Sequence, residues 1–304
     1  MTFYKYTTTS TAEIILQNKS LRWSSPLLFN DIEECQFTPF TQEQFIQAYN
    51  TYTNILEQCA SGCLLFDFSR FSENTRLLIN AVKMCKEKGV DTPYLTNELL
   101  MNHGEMHRDY INKGLINCFR ILCVTTAYDN NLMWAYYADQ HYGCVLELES
   151  VFIDPPRKLK EGEVRYHENI NPLSNPLDMF LYGETPEVHD LMVKDIIFSK
   201  RTNWKHEEEY RFMFSENFGQ ITSKIDLQNN KFEIVSKFQS DKSYTDVPIS
   251  KESIKSIIFG ARTNSDDIEK IVSTVIENKF NCEFYQMKMK SGSLVKEPLS
   301  IPVV

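Results

Sequence analysis

The spacing of apolar and polar residues predicts strands at the start of the chain and helices after them. TFYKY and LRWSSP have the pattern of short strands, and TAEIILQNKS between them predicts a helix whose Ile14, Ile15 and Leu16 face inward. Apolar residues then recur at helical spacing over residues 41–114. We therefore predict a helical block at 41–114, inserted into a different kind of fold.

Capping residues divide this block into three predicted helices. Thr41 followed by Gln44 is a capping-box signature, so the first helix is predicted to begin there. A serine opens the second segment, 72–89, and a threonine opens the third, 96–114. Both segments end at a glycine, the residue that most often follows a helix.

From residue 115 onward the pattern is typical of a sheet. LINCFRILCVTT is a nearly continuous apolar run, as expected of a buried central strand. GCVLELE, EYRFMF, KFEIVS, YTDVPI, KSIIFG and EFYQMKM predict further strands, and NNLMWAYYADQH, PEVHDLMVKDIIFSK and NSDDIEKIVSTVIENKF predict helices. The last eight residues are predicted to be unanchored. The sequence thus predicts one α+β domain with a mixed, largely antiparallel sheet, its core formed by residues 1–40 and 115–304.

Composition and charge narrow the class of protein. The 304 residues are 42% hydrophobic and 24% charged, which is typical of a folded chain and excludes disorder. The net charge of −9 argues against general attraction to nucleic acid, although not against a local basic cleft. The eight cysteines include no C-x-x-C pair, and MTFYKYTTTS lacks the pattern of a secretory signal. We therefore expect a reduced, cytoplasmic protein with no membrane partner.

Common cofactor and metal motifs are missing from the sequence. His103 and His107 in HGEMH are four residues apart, but Glu105 is not where H-E-x-x-H places it and no third ligand is evident. A polar helix face is therefore favoured over a zinc site. The chain contains no P-loop, no G-x-G-x-x-G turn and no G-x-S-x-G elbow. The expected protein uses no metal.

Two segments remain as candidates for a functional site. The first, 133–149, brings Trp134, Tyr137 and His141 together beside a glycine that opens a strand. Aromatic residues at helical spacing are usually part of a core, so for this segment a core role and a functional role are favoured equally.

The second segment is KRTNWKHEEEYRFMF, which carries charges of both signs. If it is a strand, Glu207, Glu209 and Arg211 share one face. An edge strand with a paired arginine explains the charge pattern alone more simply. Two carboxylates beside a guanidinium would also suit a site that stabilises positive charge and binds hydroxyl groups. The cations of this segment would form a local basic cleft around such a site, namely Lys200, Arg201, Lys205 and Arg211.

At these residues the sequence resembles a bacterial family known as domain of unknown function 2971. The resemblance runs from Phe3 to about Arg262, outside the helical block. The matching segments are Tyr4-Lys5-Tyr6, Leu21 to Pro26, Phe29-Asn30-Asp31, Met133 to Gly143, Lys200 to Arg211, and Ile254 to Gly260. Two positions depart from the family pattern: Ile32, where proline is usual, and Tyr136, where histidine is frequent.

The order of these motifs is also similar to that of ADP-ribosyltransferases that modify DNA and RNA. The resemblance implies a sheet core like theirs and NAD as the substrate. It implies that Glu209 is the essential glutamate and that Glu207 completes an E-x-E pair. The NAD contacts that it implies are Tyr4, Lys5, Tyr6, Ser24, Ser25, Asn30, Trp134, Tyr137, His141 and Arg211.

The implied chemistry suits these residue types. Breaking the nicotinamide–ribose bond passes through an oxocarbenium-like state, which a carboxylate on the ribose 2′-hydroxyl stabilises. The resemblance implies a macromolecular acceptor, nucleic acid or protein, and a toxin or antiphage defence effector with a cognate antitoxin or regulator.

Two other functions remain open on the sequence alone. The first strand has Lys5 and tyrosines where the transferases have histidine or arginine, which favours a non-catalytic NAD- or partner-binding sensor module. A nucleic-acid hydrolase is the third possibility, and its carboxylates would need a divalent metal.

Overall fold

The chain folds as a mixed α+β structure with a largely antiparallel sheet, as the apolar pattern predicts. The computed structural model describes residues 1–31, 34–35, 40–62, 66–90, 118–169, 172–183, 185–216, 221–226, 231–236 and 242–299. Within these residues, every helix is too short or too polar to cross a lipid bilayer.

The N-terminal segment forms the strand, helix and strand that its pattern predicts. These elements are β1 (Phe3–Thr7), α1 (Thr9–Asn18) and β2 (Ser20–Ser24). Ile15 and Leu16 are buried, but Ile14 is 50% exposed. The prediction that Ile14 faces inward is therefore wrong, because successive residues of a helix turn by about 100° and cannot all share its buried stripe.

The first two helices of the predicted block are present with the predicted caps. They are α2 (Gln42–Ala60) and α3 (Glu73–Lys88). Thr41 and Gln44 form the reciprocal capping box, and the Ser72 side chain accepts a hydrogen bond from Thr75 N. Gly89 follows α3 with φ +65°, a left-handed conformation that glycine adopts without strain. The predicted third helix, 96–114, and the HGEMH motif lie outside the described residues.

The rest of the chain alternates between strands and helices. Its elements are β3 (Phe119–Thr125), α4 (Asn131–Tyr137), β4 (Cys144–Leu148), β5 (Lys160–Glu163), β6 (Arg165–His167), α5 (Pro176–Tyr182), α6 (Pro186–Ile197), β7 (Ser199–Arg201), β8 (Glu209–Ser215), β9 (Ile221–Asp226), β10 (Lys231–Ser236), β11 (Tyr244–Pro248), β12 (Ile254–Phe259), α7 (Ser265–Asn278), β13 (Glu283–Lys290) and β14 (Ser293–Pro298).

The chain end is held more firmly than the sequence predicts. β14 pairs with β13, so that Glu297 lies opposite Gln286 and Pro298 opposite Tyr285. Leu299 N then donates to Phe284 O over 2.9 Å. The prediction of an unanchored end is wrong for these residues, and residues 300–304 lie outside the described part of the chain.

The described strands form one large sheet and two small ones. The large sheet has the order β11-β2-β3-β1-β4-β12-β13-β14, while β8 pairs with β3 and also with β5. Its pairs are antiparallel except for β12 with β13. The small sheets are β9 with β10, antiparallel, and β6 with β7, parallel.

The large sheet splits along one edge of β3. On its other edge β3 pairs with β8 along its whole length, from Phe119 opposite Ser215 to Thr125 opposite Glu209. On the split edge β3 meets β1 at Tyr4 opposite Thr125, and it meets β2 at Ser24 opposite Ile121. Side chains of β1 and β3 therefore border a gap rather than a continuous ladder.

Apolar clusters cover both faces of the sheet and join the helices to it. Helices α1 and α7 pack on one face, where Leu16 and Val275 contact the strands. Helix α4 packs on the other face through Met133 and Trp134.

A third apolar cluster holds the helical block together. It joins α2 and α3 to α5, a helix that lies outside the 41–114 segment. Tyr52 stacks on Phe180 with ring centroids 5.5 Å apart, and the Thr75 hydroxyl donates to Phe180 O over 2.8 Å. The core of the block therefore depends on a helix contributed by a distant part of the chain.

Candidate functional site

A cavity of about 220 Å³ lies at the split in the sheet. Its walls come from β1, β3, the segment after β2, helix α4, and the segment from β7 to the start of β8. Polar and aromatic side chains from five separate stretches of sequence thus meet around one space.

The cavity brings together a large part of the predicted site. The predicted residues in its wall are Tyr4, Lys5, Tyr6, Asn30, Tyr137, Glu207 and Glu209. They are joined by residues that the prediction does not include, among them Glu34, Cys123, Lys200 and Trp204.

Five predicted contacts lie outside this wall, namely Ser24, Ser25, Trp134, His141 and Arg211. Ser24 pairs with Tyr244 of β11, and the Ser25 hydroxyl accepts a hydrogen bond from Leu27 N. Trp134 is fully buried and packs edge-on against Tyr6, with ring centroids 5.3 Å apart. His141 stacks on Trp134, with ring centroids 6.1 Å apart.

Trp134 and His141 therefore support the cavity wall from behind. The Trp134 indole N–H donates to Tyr128 O over 2.8 Å, which fixes the ring in the core. The geometry therefore does not favour direct contact between a ligand in the cavity and Ser24, Ser25, Trp134 or His141. The core interpretation of the aromatic segment fits Trp134, whereas Tyr137, three residues later, does reach the cavity.

Arg211 lies beneath the cavity rather than in its wall. Its side chain is fully buried, and it holds Glu209 through two hydrogen bonds, Nε to Oε1 and Nη2 to Oε2, each 2.8 Å. It also donates to Glu34 and to Ile197 O. A guanidinium shared in this way orients the carboxylates above it.

The local fold brings Glu207 and Glu209 together by a turn. Residues 202–207 form a 3-10 turn, Glu208 has φ +45°, and β8 begins at Glu209. The strand therefore begins at Glu209, as the EYRFMF pattern predicts, and the strand face that Glu209 and Arg211 would share does not extend to Glu207. The left-handed Glu208 ends the turn between them, and both carboxylates lie beside Lys200.

Lys200 is the centre of a buried network of charges. Its ammonium lies 2.6 Å from Glu207, 3.2 Å from Glu34 and 3.4 Å from Glu209. Together with Arg211, the network has three carboxylates and two cations, all nearly excluded from solvent. Such a cluster stays buried only because each charge has a partner.

The buried charge network differs from the local basic cleft that the sequence predicts. Lys200 and Arg211 are neutralised by carboxylates, whereas Arg201 and Lys205 are exposed. The charges in the cavity wall are therefore paired. Because carboxylates outnumber cations there, the wall is poorly suited to bind a simple anion.

The titration of Glu209 is shifted toward neutral pH. Burial raises the pKa of Glu209 to about 7, helped by the nearby Glu207 carboxylate and opposed by Lys200. A carboxyl group with a pKa near the working pH can both accept and donate a proton. Perturbed carboxyl groups in a cavity are a frequent mark of functional sites.

Two neighbouring side chains fix the positions of the glutamates. The Tyr137 hydroxyl donates to Glu207 Oε1 over 2.5 Å, and the pKa of Tyr137 is raised by burial and by this carboxylate. Tyr166 accepts a hydrogen bond from Glu209 N over 2.9 Å, at the point where β8 starts. The Trp204 ring lies 4.9 Å from the Lys200 ammonium and lines the cavity beside it.

No pattern in the sequence points to Glu34 or Tyr166. Glu34 is distant in sequence from Arg211 and Lys200, and no periodicity connects them. Lys200 and Trp204 belong to the motif that carries the family resemblance. They could therefore have been predicted as site residues from that motif. In the described residues, no group of three or more His, Cys, Asp or Glu side chains is placed to hold a metal ion.

A scan against protein-family models finds no match, and searches of the curated proteins and of the solved structures find none either. The resemblance that the motifs suggest therefore stays a prediction.

Proposed function

We propose that this chain is an NAD-dependent ADP-ribosyltransferase of the kind that its motifs resemble. The observation that carries the proposal is the pair Glu207 and Glu209 in the wall of an aromatic-lined cavity, with the pKa of Glu209 raised to about 7. The proposal includes a sheet core related to those transferases and membership of the domain of unknown function 2971 family.

The cavity suits one end of NAD. Its volume of about 220 Å³ is below the roughly 300–1,000 Å³ of pockets that enclose a drug-sized ligand. It would therefore take the nicotinamide and its ribose, while the adenosine end would lie toward solvent. Tyr137 and Trp204 offer aromatic surfaces for the nicotinamide. Lys5, Tyr4, Tyr6 and Asn30 remain the predicted polar contacts.

In the proposed reaction the ionised Glu209 carboxylate accepts a hydrogen bond from the ribose 2′-hydroxyl. The nicotinamide–ribose bond breaks, its electron pair leaves with nicotinamide, and positive charge develops on the sugar. A carboxylate stabilises that charge most strongly in the transition state. Arg211 and Tyr166 keep Glu209 in position.

Glu207 is suited to the acceptor side of the same step. Its carboxylate can take the proton of an attacking hydroxyl or amine as that group bonds to the sugar. Tyr137 holds one carboxylate oxygen and Lys200 holds the other, so its orientation is fixed before a substrate arrives. The acceptor in this proposal is a nucleic acid or a protein, in the setting of a cytoplasmic toxin or antiphage effector with a cognate antitoxin or regulator.

The test compares wild type with Glu209→Gln in the presence of NAD and a mixture of RNA, DNA and protein acceptors. Released nicotinamide and labelled acceptor are both measured. Glu208→Gln is the matched control, because Glu208 is exposed and adjacent in sequence. Loss of release in Glu209→Gln alone supports the proposal. Equal background release from all three proteins would overturn it.

A second candidate is a sensor that binds NAD or a partner without turnover. The observation in its favour is that Arg211 and Lys200 already neutralise part of the charge of Glu209, which weakens the charge available to the transition state. Calorimetric titration with NAD separates the two functions. Tight binding with no nicotinamide release, even with acceptors present, would favour the sensor.

A further inference from the structure

Lys5 differs from the other cations around the cavity. Lys200 and Arg211 are paired with carboxylates, but no hydrogen bond or ion pair joins the Lys5 amine to any residue that the structure describes. Lys5 lies on β1, at the edge that faces the split, and its side chain lines the cavity. Burial lowers the pKa of Lys5, while Glu209 and Cys123 oppose that shift.

A partly buried amine without a partner is a potential nucleophile. Lysines react with carbonyl groups when desolvation favours the uncharged amine. The same cavity holds Glu209, whose pKa is raised to about 7, so that a proton donor is available at neutral pH. We propose that Lys5 forms an imine with the open-chain aldehyde of a reducing sugar bound in this cavity.

Glu209 moves the protons while the imine forms. The Lys5 nitrogen attacks the aldehyde carbon, and the electron pair of the carbonyl moves to its oxygen, which takes a proton from Glu209. The nitrogen then gives one proton to the Glu209 carboxylate, which leaves a neutral carbinolamine. Glu209 protonates the hydroxyl group of this intermediate, which departs as water while a carbon–nitrogen double bond forms, and the second nitrogen proton returns to the Glu209 carboxylate. The products are the imine and one water molecule, and nothing is oxidised or reduced.

The cavity wall favours a sugar over other aldehydes. Carboxylates and aromatic rings border the same space, with Glu34 and Glu207 on one side and Tyr6 and Tyr137 among the rings. Carboxylates accept hydrogen bonds from hydroxyl groups, and aromatic faces pack against the apolar C–H face of a sugar ring. Free ADP-ribose, which forms when water takes the place of the acceptor in the proposed reaction, is an aldose of this class, and that one extension rests on the proposed function.

The experiment traps the imine in the intact protein. Wild type is incubated with ribose and sodium cyanoborohydride at neutral pH, and peptide mass spectrometry locates the reduced adduct. We expect the adduct on Lys5 first. Lys200 serves as the internal control, because it lines the same cavity but is paired with Glu207. Lys205, which is exposed, gives the rate of ordinary surface lysines.

Two variants sharpen the result. Lys5→Arg keeps a positive charge but cannot form the imine, so the early adduct should be lost. Lys205→Arg should leave it unchanged. If Lys5→Arg does not fold, the adduct map of wild type still decides the question. Modification of Lys5 no faster than Lys205 would overturn the proposal.

A further arm adds NAD to the trapping reaction. If NAD enters the cavity, it should suppress the Lys5 adduct and leave the Lys205 adduct unchanged. An early Lys5 adduct that NAD does not affect would support the imine and count against NAD binding in the cavity. The failures of the two proposals are therefore distinguishable.

Discussion

Asp195 and Glu209 are both buried carboxylates, yet their surroundings differ in kind. Asp195, on α6, accepts hydrogen bonds from Leu173 N at 2.9 Å, Ser174 N at 2.8 Å and the Ser174 hydroxyl at 2.5 Å. Arg165 donates to it from the partly exposed side at 2.9 Å. Its acceptor capacity is filled by the loop that it anchors, and it does not line the cavity.

Glu209 shares its partners with other carboxylates. Arg211 and Lys200 contact Glu209, but both also contact Glu34, and Lys200 contacts Glu207. The cations are divided among more acids than they can neutralise, at the wall of a cavity. Burial of a carboxylate is thus not the mark of a functional site. Shared, incomplete neutralisation beside an open space is the better indication.

The largest expected difference between the two carboxylates is in activity. We expect Glu209→Gln to lower the rate of NAD cleavage by about 10²–10⁴-fold, the usual contribution of a positioned acid or base. Asp195→Asn should leave the rate of the folded protein within a few-fold of wild type. Steady-state nicotinamide release measures both. An equal loss in the two variants would remove the functional distinction between them.

The next effect is on stability. Replacing Arg211 by methionine leaves Glu209 and Glu34 buried with one cation fewer, and losing one partner of a buried charge costs about 3–5 kcal/mol. We expect the free energy of unfolding to fall by this amount in urea titrations. Arg22→Met is the control, because Arg22 pairs with Asp246 at the surface and exposed pairs contribute at most about 1 kcal/mol. A small loss for Arg211→Met would show that the network is open to water.

The pH dependence of stability should also separate Glu209 from other acids. Its pKa is about 7 in the folded protein and 4.5 in the unfolded chain, so the folded state holds the proton more tightly. This contribution is complete below pH 4.5 and is lost as the pH rises to about 7, a change of roughly 3 kcal/mol. Urea titrations across this range should show the decrease in wild type. Its persistence in Glu209→Gln would assign the decrease to another group.

The smallest effect is expected where Asp195 is removed. Asp195→Ala leaves the N–H groups of Leu173 and Ser174 without an acceptor, and the one that is buried, Ser174 N–H, costs about 1–3 kcal/mol when it is unsatisfied. Thermal unfolding should detect the loss, and hydrogen exchange should be faster at these two amides. Unchanged exchange would mean that the loop does not depend on Asp195.

Local features of the fold could be predicted from the sequence. The apolar run at β3 and the caps of α2 and α3 depend on neighbouring residues, so the pattern alone indicates them. The candidate site was predictable only in part. Glu207, Glu209 and Tyr137 stood out by residue type and motif, and the structure brings them to one cavity.

Long-range features were not predictable in this way. Glu34 contacts Arg211 although the two residues are 177 positions apart in sequence, and no local signal encodes that approach. The sequence also cannot tell that Trp134 faces the core while Tyr137 faces the cavity, because one helix turn offers both positions. The sequence also gives no sign of the left-handed conformation of Glu208, which interrupts a pattern typical of a strand.

The two single contacts on the split edge of β3 make the cavity sensitive to chain length. Tyr4 opposite Thr125 and Ser24 opposite Ile121 fasten the split at both ends. One residue inserted between these contacts would shift the register of β3 and move the side chains of Cys123 and Val124 to the opposite faces of the strand. Engineering of this protein can therefore exchange the side chains of the cavity one by one, but a change in the length of β3 would displace several of them at once.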